Sequence, residues 1–402
     1  MLRRKLGVCL DLLLVVLLLV SYTSWRLETP LSEYLAPRDE YVERTEAMLG
    51  EVVKDVAEIR MLDAPDNVNF RVVTMDWVEE NWGWKSTETI IEEVKLEEEI
   101  YKALYLIPEN FSLVEVKVNQ AGTIMAALAG DTLYFVRDYF NPYDEENAKE
   151  VLAHEVTHLL QSVNFEVEEP AEFDAKQAKN ALIEGDAEFT KETYLLMKFN
   201  KTAERGFLPP SGNGTLRDLD ALWQLWVAPG IYGRDFVKAL YDAGGWEKVN
   251  EAYHNMPTST EQIMHPEKYL AGESFVPVEL KNVEGWKLKR SERFGEHFIM
   301  IVLARHIPIE EAKLAAEGWA GDKFAYYKDD GDYFFMWKIV WDSSKDRDEF
   351  LSAFKNLVDS IADEELAPNY WKTYKGYLTV NISDLSVTIS GTSKPNTLKT
   401  LQ

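Results

Sequence analysis

The chain has 402 residues, of which 46% are hydrophobic and 28% charged, enough for two domains of ordinary size with a substantial buried core. That balance excludes a disordered or fibrous chain. A formal net charge of −26 argues against a nucleic-acid partner, because a phosphate backbone demands clustered Lys and Arg; an acidic surface favours solubility and, weakly, neutral or basic substrates.

In chain order, Arg3, Arg4 and Lys5 precede an apolar stretch running from Leu6 to Tyr22, densest between Leu12 and Val20. A charged start followed by an apolar run reads as a signal peptide or a signal anchor over residues 1–25, with the basic side held in the cytoplasm. The run is shorter than the roughly 20 residues a spanning helix prefers, and Asp11 adds a desolvation cost, so both forms stay open. Either one sends the remainder out of the cytoplasm, membrane-anchored at the cell surface or secreted. Cys9, the single cysteine, lies in this segment, so the exported part makes no internal disulfide and relies on packing or a bound metal. Sequons at Asn110, Asn200, Asn213 and Asn381 are compatible with a glycosylated surface.

Residues 26–50 read as a polar stalk entering a helix. A strand is expected from Phe70 to Val78, a long acidic amphipathic helix from Glu88 to Leu106, and strands at Leu113–Val118 and Ile124–Leu128. The last turns through Ala129-Gly130-Asp131 into Thr132–Val136, a hairpin. Helical periodicity then runs from Glu145 through Gln161 and from Asp174 to Asn200, followed by helices at Leu216–Val227, Gly233–Ala243 and Trp246–His254. Beyond residue 275 short strands (Val276–Leu280, Lys323–Tyr327, Tyr333–Val340, Tyr377–Val380, Ser386–Ile389) alternate with helices at Gly295–Arg305 and Asp346–Ile361. The expected organisation is a domain over 26–274, a smaller α+β lobe over 275–390, and a loose polar tail from Gly391.

The segment His154-Glu155-Val156-Thr157-His158 carries the chemistry. Residues four apart share a helix face, so both imidazoles can reach one ion, and Glu155 beside them can take a proton from a metal-bound water. The flanking Val151, Leu152, Ala153, Val156, Leu159 and Leu160 imply burial, which is costly for two histidines and a carboxylate without a partner. On the next helix Glu184 interrupts an apolar face in Ala181-Leu182-Ile183-Glu184-Gly185-Asp186-Ala187-Glu188. His154, His158 and Glu184 would leave a tetrahedral Zn2+ one open position, as a hydrolase requires. Glu188, one turn further on, is placed to accept a hydrogen bond from a ligand imidazole, and Gly185 and Ala187 to let the two helices approach.

These residues resemble the gluzincin group of zinc metallopeptidases. They are also similar to a set of exported archaeal and bacterial metallopeptidase-like proteins that carry H-E-x-x-H, E-G-D-A and a later S-T-E-Q-I-x-H-P-x-K-Y, here Ser259 to Tyr269. The shared motifs span roughly residues 120–270. The resemblance implies an α+β fold with a zincin-like core, in which two zinc-binding helices lie beside a sheet whose edge aligns an extended peptide. The Ile124–Val136 hairpin is the candidate edge. No Gly-Ala-Met-Glu-Asn motif occurs, so the aminopeptidase branch has no support.

The expected activity is zinc-dependent hydrolysis of peptide bonds in a peptide or protein substrate, with Glu155 as base and His265 and Tyr269, ahead of Tyr232 and His254, as oxyanion donors. The competing functions are a catalytically silent surface module that keeps the metal for stability, and hydrolysis of a non-peptide amide. The bland readings make Glu184 and Glu188 surface carboxylates, His265 a turn cap before Pro266, and His297 and His306 packing or surface residues. The 275–390 lobe carries no catalytic signature.

Overall fold

The computed structural model describes residues 38–82, 88–119, 125–202, 214–281 and 283–394. The expectations for residues 1–37, Ile124, Asn213 and 395–402 lie outside the described residues. The fold is mixed α+β, with one small and one large sheet.

The small sheet runs β1-β3-β2: β1 (Asn69–Val73) is parallel to β3 (Thr132–Val136), and β2 (Ala126–Ala129) is an antiparallel edge strand. The β2–β3 turn is two residues long, and Gly130 at its first position has φ +69°, a conformation only glycine adopts without cost. Leu133 and Phe135 of β3 face α1 (Arg38–Arg60), α5 (Glu145–Asn164) and α6 (Phe173–Phe199), and join their apolar residues in one core. On the other face, Trp77 and Trp82 pack on Tyr134 beside α2 (Met75–Asn81).

The large sheet is antiparallel throughout, ordered β4-β5-β6-β10-β9-β8-β7. Its strands are β4 (Lys287–Glu292), β5 (Trp319–Asp329), β6 (Asp332–Trp341), β7 (Ala362–Ala367), β8 (Tyr370–Thr373), β9 (Gly376–Ser383) and β10 (Ser386–Thr392). One face carries α10 (Gly295–Ala304), α11 (Ile309–Ala316) and α12 (Ser344–Ile361). Every residue of α10 is buried, as expected for a helix without a polar face. The same core takes in α3 (Glu88–Ala103) and Leu113 of α4 (Leu113–Asn119), so residues well before the sheet help to close it. Helix α7 (Asp218–His254) serves both cores: Leu222 and Leu225 enter the large one, Phe236, Leu240 and Val249 the small one, and the short helices α8 (Thr260–Met264) and α9 (Pro266–Leu270) follow it.

Several local expectations are corrected. Residues 113–119 are helical, not a strand: Ser112 accepts the Glu115 N–H, and Glu98 accepts the Leu113 N–H at 2.7 Å, so the helix start is captured despite the alternating pattern. The strand expected over Phe70–Val78 stops at Val73, because the Thr74 side chain caps α2. Val276–Leu280 forms no strand; Val276 donates to the Ala320 carbonyl, and Pro277 has no N–H to continue a ladder. The helices expected at Leu216–Val227 and Gly233–Ala243 form one run that passes through Pro229, whereas the break expected before Trp246 is present at Gly244-Gly245. Gly391 and Thr392 are not a loose tail but part of β10, a central strand. A Cβ on Gly391 would lie 2.2 Å from the Phe335 ring, so its bare backbone is what lets the strands stack there.

The α6–α7 crossing also differs from expectation. Gly185 opens space for α7, not for α5. A Cβ there would sit 2.1 Å from the Gly233 carbonyl carbon, and one on Gly233 would sit 1.8 Å from the Ala181 oxygen. Both clashes are with backbone, which cannot yield locally. Gly233→Ala is expected to cost about 3 kcal/mol or more in urea unfolding; a change of a few tenths would mean that the crossing is looser than drawn.

His297 and His306 serve packing. His306 sits between the Tyr105 carbonyl and the Ser360 hydroxyl. His297 is buried against Tyr232 with Nε2 unpartnered, and burial pulls its pKa down to about 4. Because the folded value is depressed, the associated stability is present above pH about 6.5 and is lost as the pH falls through about 4, a drop of about 3 kcal/mol. Urea midpoints measured between pH 7 and 4 should fall less steeply in His297→Gln than in wild type.

Candidate metal centre

Helix α5 begins at Asp144, whose side chain accepts the Asn147 N–H, with Glu145 and Glu146 in the first turn where the helix dipole favours negative charge. Every residue from Leu152 to Gln161 is buried. This stretch lies between the small sheet and α6 and carries His154, Glu155 and His158 into the interior. Helix α6 brings Glu184, 0% exposed, from the facing side.

Three donor atoms converge. His154 Nε2 and His158 Nε2 are 3.1 Å apart, and each is 3.5 Å from Glu184 Oε2. A tetrahedral ion with N and O ligands at about 2.0–2.1 Å requires donor atoms about 3.3–3.4 Å apart, so the triangle has the right size for zinc. Both Glu184 oxygens are buried without a hydrogen-bond partner, a costly state for a carboxylate unless a cation lies beside it.

Electrostatics points the same way. Burial opposes charge on His154, but the Glu184 and Glu188 carboxylates beside it outweigh that and push its pKa up to about 10. His158 is raised too, its burial outweighed by Glu184. Glu184 is held down to about 2, because His158 and His154 overcome its burial. The cluster therefore favours positive charge between its donors, and a divalent ion meets that demand with neutral rings.

The remaining valences are supported from outside. Glu188 Oε1 lies 3.0 Å from His154 Nδ1, and the Lys191 ammonium holds Glu188 at 2.7 Å. Glu155, 1% exposed, lies beside the Leu128 backbone of edge strand β2, and its Oε2 is buried without a partner. Burial raises its pKa against the pull of both histidines. A base with a buried, unpartnered oxygen thus lies near both the edge strand and the two histidines.

The other candidates each have partners of their own. His265 Nε2 pairs with Glu296 at 2.9 Å, and the Tyr269 hydroxyl donates to the Asn255 carbonyl at 2.7 Å. Tyr232 packs on His297, and His254 is exposed, edge-on to Phe165. The neighbouring Tyr253, unremarked in the sequence, donates instead to Asp186 at 2.8 Å. Sequence reading also passed over Gln161, whose Oε1 meets His158 Nδ1 at 2.9 Å, and Arg60, paired with Asp186 at 0% exposure for both. Gln161 carried a signal, lying one turn after His158; Arg60, 126 positions before Asp186, carried none.

A second group with metal-ligand spacing, Glu261, Glu273 and Asp342, already holds a cation of the chain: the Lys268 ammonium lies 2.6, 3.1 and 2.8 Å from the three. Among the described residues no lysine or arginine pairs with Glu184.

Residues 283–402 match a family described as a domain of unknown function, DUF8575, which covers the large sheet and the helices on it. No curated protein matches the chain. No helix among the described residues is long and apolar enough to cross a membrane.

Arg60→Met would leave Asp186 charged, buried and unpaired. The expected loss is about 3–5 kcal/mol in urea unfolding of the metal-free protein at neutral pH. A loss below about 1 kcal/mol would mean that water reaches Asp186 in solution.

Proposed function

We propose that the protein is a zinc-dependent, gluzincin-like peptidase acting outside the cytoplasm, with a zincin-like core of β2, α5 and α6. The observation that carries this reading is the pairing of a three-donor triangle of zinc dimensions with a buried glutamate that is not one of the donors. A purely structural ion has no use for Glu155 at that position. Its burial would be an unrewarded cost.

His154, His158 and Glu184 would hold the ion. Zinc so held supplies a Lewis acid that polarises a carbonyl and makes bound water acidic near neutral pH. Glu155, buried beside the histidines with Oε2 unpartnered, takes the proton from the attacking water. It then returns the proton to the departing amine. Edge strand β2, whose Leu128 lies beside Glu155, offers an extended peptide a backbone to pair with. His265 Nε2 pairs with Glu296 and the Tyr269 hydroxyl donates to the Asn255 carbonyl, so no step is assigned to either. The acidic surface suits neutral or basic polypeptides.

The test uses the chain loaded with one equivalent of zinc and an unstructured protein as substrate. Glu155→Gln should retain zinc and lose about 10²–10⁴ in kcat/KM. Equal hydrolysis by wild type and variant would remove Glu155 from the reaction. Stoichiometric zinc with no cleavage by either would favour a metal-stabilised binding module instead.

A further inference from the structure

The support beneath His158 is more elaborate than a ligand histidine needs for burial alone. Gln161 Nε2 donates to the Ile183 carbonyl at 2.9 Å and to Asp186 Oδ2 at 3.1 Å. Only the amide NH2 can donate to those acceptors, so Gln161 Oε1 is left facing His158 Nδ1 at 2.9 Å as an acceptor. The His158 ring must therefore carry a proton on Nδ1, which leaves the Nε2 lone pair directed at His154 Nε2 and Glu184 Oε2.

Asp186, which fixes Gln161, is itself fixed from three other sides. Arg60 Nη2 donates to Oδ2 at 3.0 Å while its Nε lies 2.7 Å from Oδ1, the Tyr253 hydroxyl donates to Oδ2 at 2.8 Å, and Thr190 reaches Oδ1 at 3.3 Å. Arg60 in turn donates to Asn250 Oδ1 at 2.9 Å and lies over the Trp246 ring at 4.3 Å. The relay Arg60–Asp186–Gln161–His158 thus joins α1, α5, α6 and α7, and its members are at most 5% exposed.

We propose that Gln161 is a positioning residue: locked by the buried Arg60–Asp186 pair, it sets the His158 tautomer and ring plane for metal binding and makes α1 an integral part of the metal centre. This rests on the metal reading above but concerns a different link. A ligand imidazole whose second nitrogen is held by an acceptor is oriented before the ion arrives, and losing such a partner lowers affinity by about 10–100-fold.

The experiment has two readouts, neither of which is hydrolysis. The first is zinc affinity by competition with a chromophoric chelator, for wild type and Gln161→Met, a substitution of similar shape with no acceptor. Expected is a loss of about 10–100-fold, with the melting temperature of the metal-free variant within a few degrees of wild type. The second is nitrogen-15 NMR of histidine-labelled wild-type protein, with the His158 ring assigned by comparison with His158→Asn. It should show a slowly exchanging Nδ1–H on His158 with and without zinc. Gln161→Met should make that proton exchange rapidly.

Wild-type zinc affinity in a folded Gln161→Met, or a wild-type His158 with no proton on Nδ1, overturns the proposal. Should Gln161→Met fail to fold, the wild-type Nδ1–H measurement decides alone. Zinc failing to bind wild type at all would sink the metal reading, while the NMR measurement would still decide how His158 is held.

Discussion

A carboxylate with both oxygens buried and unbonded, 3.5 Å from two imidazole nitrogens, is the constraint around which the small core is arranged. Burying Glu184 with the two rings is unfavourable unless positive charge lies between them, because the interior cannot replace water around an ion. The surrounding groups leave that space for a cation. Glu188 and Gln161 take the Nδ1 sides of the rings, so the Nε2 atoms face inward. The Glu261–Glu273–Asp342 group shows the opposite solution, with a lysine of the chain itself at the centre.

Holding donors at such separations requires helices that do not slide. Helix α6 is gripped at its start by Arg293, in the segment that matches the domain of unknown function, and by Thr260 ahead of that segment: Asp174 donates its N–H to the Arg293 carbonyl, and its carboxylate takes the Arg293 guanidinium and both the N–H and the hydroxyl of Thr260. Glu172 adds a pair with Lys323 of β5. From Asp174 to Glu184 is about 15 Å of helix, short enough for that grip to fix the position of the ligand. Further along, the glycine contact between Gly185 and Gly233 sets the depth at which α7 crosses. The large sheet is therefore mechanically part of the site although it contributes no donor.

The elements that sequence reading missed share one cause: a local hydrogen bond or a distant partner overrode a periodicity. The alternation in Leu113–Val118 has the period of a strand, but Ser112 and Glu98 capture the first N–H groups of a helix and decide the outcome. Thr74 does the same to the run after Val73. Ser390, Gly391 and Thr392 look like a polar tail, yet their backbone fills a place between β6 and β9 that only strand pairing could reveal. Long periodic helices such as Glu145–Asn164 and Phe173–Phe199 were legible, because one apolar stripe specifies both their length and their buried face.

By itself the sequence determined that His154, Glu155 and His158 share one helical face and that Glu184 sits in an apolar helix, because spacing along a helix fixes relative direction without reference to anything else. It determined as well an α+β chain with the β2–β3 hairpin, through Gly130. Only the tertiary structure decided that the Glu184 carboxylate reaches both imidazoles, that Arg60 and Asp186 meet across 126 positions, and that His265 and Tyr269 turn to other partners. Those are distances between separate elements. They are set by how whole helices and sheets pack, a property of the assembled cores that no local window of residues contains.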